Sequence, residues 1–476
     1  MNASGSPYVC ASQTSGGNVS GRNADVSSSS SGASSPARAH DAADARLVAR
    51  ALAGAESALV RARVGRQTVA ARTPWDDPAI ARDPMLAGFR AQLPRTFPLD
   101  SRPEMQAAWE PGDLALKRVL RGGASGADAG RAAMRRFKSI TRPEPPRAAP
   151  WPYVGLVSVF LIGLCVLAAR WLWSLRGTRE ARDARQGWAW VAPAMIATTV
   201  LILLPFAVGL ALALFSHRQG TWTFVGLANF FDILLSKSYA VFEPLSFYYA
   251  LLVTILWTVV NLTLHVGIGL ALALLLDRQG MRLKPLYRVL LVIPWAVPNY
   301  ITSLIWKTIF HKQYGALNGL LDLLGLERVS WFSSFGTAFF ANVCANAWLG
   351  FPFMMVVALG ALQAIPRDLY EAADVDGASA WAKFRLITVP LLAPAMVPAI
   401  LLGLVWTFNQ FNVIYLVSGG EPDNATDILI SEAFRWAFAR QEQYGYAAAY
   451  AALIFLLLLG WSVLSTKLAR RAEAAR

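Results

Sequence analysis

Asn342 and Asn346 stand four residues apart in a long apolar run, and Asn346, Leu349, Gly350 and Phe353 keep to one face at the ~100° advance of a helix. A second run sets Gly403, Thr407 and Gln410 on one stripe, with Asn409 and Asn412 beside it. An amide in hydrocarbon is costly unless it faces another helix or a wet cavity, and a glycine beside it lets a ligand or a backbone come close. Planar amides that pair with hydroxyls, set beside aromatic faces that cover C–H surfaces, are what recognition of a carbohydrate requires. The same amides would also serve to bridge neighbouring helices. Asn261 and His265, four apart in a third apolar run, read as inter-helix bonding partners.

Other chemistries find little support. There is no His-Glu-x-x-His, Gly-x-Ser-x-Gly or comparable constellation of a membrane enzyme. Without a Gly-x-x-x-x-Gly-Lys-Ser/Thr loop the chain cannot be its own P-loop ATPase. Cys10, Cys165 and Cys344 form no even framework and no Cys-x-x-Cys pair, which excludes a disulfide scaffold and a cysteine-based metal site. An ion-coupled secondary transporter is the alternative function, but it usually needs a titratable group near mid-membrane. The six apolar runs from about residue 188 onward contain no Asp or Glu.

These residues must be positioned by membrane helices. The chain has 476 residues, 55% of them apolar, with a mean hydropathy of +0.40 and a formal charge of +14. That is too apolar for a soluble protein carrying so much charge. Seven stretches reach the ~20 residues a bilayer requires: 152–172, 188–216, 246–276, 287–310, 335–364, 389–416 and 445–466. Arg176, Arg179, Arg182 and Arg185, the loop with Arg278, Arg282, Lys284 and Arg288, and the tail with Lys467, Arg470 and Arg471 mark the cytoplasmic side. The basic excess thus reports orientation in a membrane, not nucleic acid. By parity the segment 152–172 runs from outside to inside, leaving residues 1–150 on the far side or marking that segment as incomplete. Those residues read as a disordered or weakly structured polar tail, Ser-rich at 27–31, with an amphipathic pattern from Asp41 to Val64 and no secretory signal. Met134, followed by Arg135, Arg136, Phe137 and Lys138, reads equally well as a natural start.

Between the fifth and sixth of these stretches lies a charged loop, Ile365-Pro366-Arg367-Asp368-Leu369-Tyr370-Glu371-Ala372-Ala373-Asp374-Val375-Asp376-Gly377, continuing to Leu386-Ile387-Thr388-Val389-Pro390. Pro366 suits a helix start and Gly377 a helix stop, so the spacing predicts a short helix, a tight turn and a second short helix. The Glu-Ala-Ala-x-x-x-Gly core with its downstream Leu/Ile-x-x-Pro resembles the signature cytoplasmic loop of permease subunits in bacterial binding-protein-dependent ABC importers. The resemblance covers roughly residues 186–470. It includes Phe224-Val225-Gly226-Leu227-Ala228-Asn229-Phe230, Gly315-Ala316-Leu317-Asn318, Trp348-Leu349-Gly350-Phe351-Pro352-Phe353, and Ser418-Gly419-Gly420-Glu421-Pro422. These segments are most similar to the larger permease subunit of maltose/maltodextrin importers.

The resemblance implies an all-α polytopic membrane protein: a six-helix type I ABC importer permease core over 188–470, with its coupling loop at 365–388. An extra transmembrane helix and basic linker occupy 151–187. Glu371, Ala372, Ala373, Asp376 and Gly377 would dock into an ATPase subunit. Asn346, Leu349 and Gly350 match the family's sugar contacts, Phe353 stands where that pattern has Tyr, Thr407 and Gln410 where it has Asn, and Gly403 where it has Ser. The substrate is expected to be maltose, a maltodextrin or a related oligosaccharide. Implied partners are a second homologous permease, an ATPase dimer that binds the ATP, an extracytoplasmic solute-binding protein and the lipid of a bacterial inner membrane. No cofactor or metal is expected in this chain. The loop 217–245 is too short for the folded domain that the enteric maltose permease inserts there. Docking of the binding protein is therefore expected on loops such as 311–334 and 417–443.

Overall fold

The computed structural model describes residues 54–65, 67, 73–92, 103–121, 124–174, 179–218, 220–236, 239–278 and 280–474. Cys10, the serine run, most of the Asp41–Val64 pattern and Arg176 lie outside the described residues. The chain divides into two compact units, 1–101 and 102–476. In the first, helices α1 (Ala55–Arg63), α2 (Pro78–Ala81) and α3 (Pro84–Gln92) enclose a small cluster of Ala62, Trp75, Ile80 and Leu86. Asp77 caps α2 by accepting from Ala79 N at 2.9 Å.

In the second unit, within the stretch read from the sequence as a polar tail, α4 (Pro103–Leu120) and α5 (Gly126–Ile140) pack as a helical hairpin. Ser125 caps α5 by accepting from Asp128 N at 3.1 Å, and its Ala129, Phe137 and Ile140 recur on one face. The region looks polar because that apolar face is narrow. Next comes α6 (Trp151–Ser174), one helix of 24 residues across the segment expected at 152–172.

Among the described residues, five stretches are long and apolar enough to cross a membrane: Trp190–Leu212, Phe247–Asp277, Phe335–Gln363, Ala380–Phe408 and Tyr444–Lys467. The first joins the end of α7 (Arg179–Thr198) to α8 (Leu204–Leu212) through a widened π turn at Thr199–Leu203. A similar turn at Phe384–Thr388 follows α16 (Ala380–Lys383) and leads into α17 (Val389–Phe408). Each widened turn lies just before a proline, Pro205 or Pro390, where a ring without an N–H disrupts the regular ladder.

The expected span at 287–310 is not a single rod. It consists of α11 (Lys284–Ala296) and α12 (Asn299–Ile309), bent by 92°. Val297 precedes Pro298 and takes an extended backbone, φ −80° and ψ 133°, because the proline ring disfavours the helical conformation in the residue before it.

At the centre α10 (Phe247–Asp277) lies along α14 (Phe335–Gln363), most of which is buried. Small residues let the two approach: a Cβ at Gly269 would come within 2.8 Å of Met354 Cβ and Met355 N. The Trp257 indole on α10 donates to Thr407 O on α17 at 3.0 Å. At one end α14 and α17 are joined by the loop carrying α15 (Asp368–Val375). At the other end lie the strands β1 (Phe215–Arg218) and β2 (Thr221–Phe224), paired antiparallel, with α9 (Ala228–Leu234), α13 (Ala316–Leu323), α18 (Phe411–Val413), α19 (Leu429–Phe438) and the start of α20 (Tyr444–Ala474).

Candidate functional site

Four stretches of the chain meet around a cavity of about 400 Å³. From α14 come Asn346, Leu349, Gly350, Phe353 and Met354; from α17, Gly403, Trp406 and Thr407, followed by Gln410; from the α11–α12 elbow, Trp295 through Asn299; and from α10, His265. Every residue expected to contact substrate, Asn346, Leu349, Gly350, Phe353, Thr407 and Gln410, lines this one space. Gln410 reaches it because α17 ends at Phe408, so the chain turns there before α18 resumes.

One wall is aromatic. The Phe353 ring lies 6.3 Å from that of Trp295 and 5.4 Å from that of Trp406. The polar groups are uncharged amides, a hydroxyl and an imidazole; no Lys, Arg, Asp or Glu is among the described lining residues. Asn346 is 3% exposed, and its Nδ2 has no hydrogen-bond partner among the described residues. Its backbone carbonyl, by contrast, bonds to His265 Nε2 at 2.9 Å. A donor left open on a cavity wall costs free energy unless a ligand or water meets it.

The stripes do not behave as units. Asn342, one turn from Asn346, donates to Ser418 Oγ at 2.9 Å and lies outside the cavity. Asn412 donates to Asn299 Oδ1 at 2.8 Å, fastening the segment after α17 to the elbow. His265 makes the expected inter-helix bond and also borders the cavity, whereas Asn261 donates to Trp257 O within its own helix. Trp295, Asn299 and Trp406 escaped the reading of the sequence. The Val297-Pro298 break was the available signal for the first two, since it ends one helix and starts another at the cavity.

The loop 365–388 forms the predicted helix, turn and helix. Gly377 closes α15 in the left-handed region at φ +74°, and Ala378 N donates back to Ala373 O at 2.9 Å. Lys383 pairs with Asp374, and the Tyr370 hydroxyl lies 2.9 Å from that of Thr388, holding the two short helices together. Glu371, Ala372, Asp376 and Gly377 are exposed and Ala373 half-buried. Val375 and Trp381 are also exposed, as is Leu386 within the apolar stretch Ala380–Phe408.

Residues 265–473 match the family described as binding-protein-dependent transport system inner membrane component. The chain is 34% identical over 301 residues to the trehalose/maltose transport system permease protein MalF of Thermococcus litoralis, covering 62% of this chain and 98% of that protein. It is 35% identical to the galactooligosaccharides transport system permease protein GanP of Bacillus subtilis, over 51% of this chain and 59% of that one. With the maltose/maltodextrin transport system permease protein MalF of Salmonella typhimurium it shares 38% identity, over 46% of this chain and 44% of the other. It thus spans less than half the length of that enteric relative. Among solved structures, a bacterial ABC transporter involved in the import of the acidic polysaccharide alginate superposes with a TM-score of 0.52 at 20% identity, over 62% of this chain and 99% of that chain. This likeness concerns the fold alone.

Proposed function

From the premise that this chain belongs to the family of binding-protein-dependent transport system inner membrane components, we propose that it forms the sugar path of an ATP-driven oligosaccharide importer. The observation that carries this reading is the uncharged cavity with amides on one side and the Trp295–Phe353–Trp406 wall on the other. A sugar ring offers hydroxyls around its edge and C–H surfaces on its faces, and these walls offer a partner to each. Two of the walls stand one on either side of the coupling loop: α14 enters it and α17 leaves it. A push on Glu371 to Gly377 therefore moves Asn346 relative to Gln410, the relative displacement that alternating access requires.

The chain is a transport subunit and not an enzyme. ATP is hydrolysed by a separate ATPase dimer, docked on the exposed loop residues Glu371, Ala372, Ala373, Asp376 and Gly377. A second homologous permease completes the path, and an extracytoplasmic solute-binding protein delivers the sugar. The relatives' names support a maltose-, trehalose- or galactooligosaccharide-like substrate, and the absence of a cation among the described lining residues favours a neutral one. His265 is the one titratable side chain among those residues, which gives ion coupling no carboxylate to work with.

Uptake of a set of labelled neutral oligosaccharides at matched expression tests the proposal. Asn346→Leu and Gln410→Leu each remove hydrogen bonds to hydroxyls worth about 0.5–1.5 kcal/mol apiece, so transport should fall about two- to tenfold per bond. The affinity of the separate binding protein should stay unchanged. If both variants keep the wild-type rate and substrate preference, the amides are packing devices and the sugar passes elsewhere.

A further inference from the structure

The ion cluster at Arg440 lies outside the cavity. Arg440 Nε and Nη2 donate to Glu110 at 2.9 and 3.0 Å, and its Nη1 and Nη2 also bond to Glu432. The Arg440 and Glu432 side chains are 3% and 1% exposed and Glu110 16%. Burial, the largest influence on Glu110, pushes its carboxyl up, yet Arg440 brings it below the usual carboxylate range. Glu432 is raised, by burial first, with Asp427 and Glu110 adding to it against the pull of Arg440. A buried guanidinium shared in this way holds its neighbours in place, because removing a partner strands a charge.

Glu110 sits on α4, whereas Arg440 and Glu432 belong to the segment between α17 and α20. Further ties run between the same two regions. Arg136 donates to Asn424 Oδ1 at 3.1 Å and to Asp423 O at 3.0 Å, Arg121 pairs with Glu421 at 2.6 Å, and Gln443 donates to Ile140 O at 2.9 Å. Arg142 lies 3.9 Å over the ring of Tyr446 at the start of α20. This end of the molecule is separated from the coupling loop by the 20 residues of α17, about 30 Å of helix.

We propose that residues 103–150 lie on the extracytoplasmic side and act as a brace. The α4–α5 hairpin, latched through Glu110 and Arg440, holds the 419–443 segment against the outer ends of α10 and α20. That segment continues from Ser418, the partner of Asn342 on α14, so the brace also steadies the chain that leads back to Gln410. The sidedness rests on the cytoplasmic assignment of the coupling loop and of the basic loop around Arg282; the latch does not.

Two measurements on the full chain test the two parts. In a cysteine-free background, an impermeant maleimide should label the Ala127→Cys variant from outside in right-side-out vesicles and the Arg282→Cys variant only in inverted ones. If Arg282→Cys is labelled from outside, the orientation on which the proposed function relies is wrong. If Arg282→Cys behaves as expected and Ala127→Cys is reached only from the cytoplasmic side, the brace is misplaced while the importer reading stands. In purified protein, Glu110→Ala leaves the Arg440–Glu432 pair intact, so the core should fold. Hydrogen exchange should then speed up at least about tenfold both in α4 and in residues 419–428, with α14 unchanged and Glu110→Gln intermediate. Unchanged exchange in 419–428 overturns the brace, as does wild-type exchange already as fast as that of the variant.

Discussion

At the scale of single residues, the cavity depends on Gly350. A Cβ there would overlap the His265 imidazole, which rests on the glycine and bonds to the carbonyl of Asn346. Gly350→Ala must displace the ring and break that bond, at the ~1–3 kcal/mol typical of overpacking. Uptake at matched expression should therefore fall about tenfold. His265→Ala in the same chain returns the space, and the double variant should transport within about threefold of His265→Ala alone, a strongly non-additive result. Independent, multiplying losses would show that the ring is not the obstacle.

At the scale of elements, broken or widened helices do the positioning. The bend at Val297-Pro298 brings Trp295 and Asn299 to the cavity, and the end of α17 brings Gln410. The turn at Gly377 shapes the loop 365–388 by conformation, since a Cβ there would meet open space, yet φ is +74°. Gly377→Val puts a β-branched residue in the left-handed region, costing about 1–2 kcal/mol or more without any clash in the core. The variant should insert at the wild-type level but show a severalfold loss of sugar-stimulated ATPase activity in the reconstituted importer. Wild-type stimulation would mean that the loop couples without this turn.

For the molecule as a whole, the division at residue 101 separates a small unit with its own apolar cluster from a second unit whose apolar cores are built from residue 213 onward. Deleting residues 1–101 should leave membrane insertion and uptake within about twofold of the full chain, because tolerance of a truncation follows the burial and hydrogen bonding of the backbone removed. Deleting residues 1–150 removes the hairpin and leaves Arg440 and Glu432 without Glu110, so that chain should unfold at a lower temperature in detergent. Equal stability of the two truncations would count against any role of the hairpin in holding the outer face. The most apolar part of Trp190–Leu212 is not buried by the described residues, which suits a surface facing lipid or another subunit.

Much of this protein was legible in its residues, because the relevant signals are local. Long apolar runs require membrane helices, Gly377 twelve residues after Ile365 marks a turn, and the positions of Asn346, Gly350 and Phe353 put them on one face whatever surrounds it. Only tertiary structure decided which faces meet. His265 and Trp295 join the cavity through packing between helices far apart in sequence, and Asn342 leaves it although its spacing matches that of Asn346. The N-terminal hairpin shows the limit most clearly: Glu110 and Arg440 are 330 residues apart. No periodicity links such positions, so the charges that tie this segment to the other end of the chain are visible only in the fold.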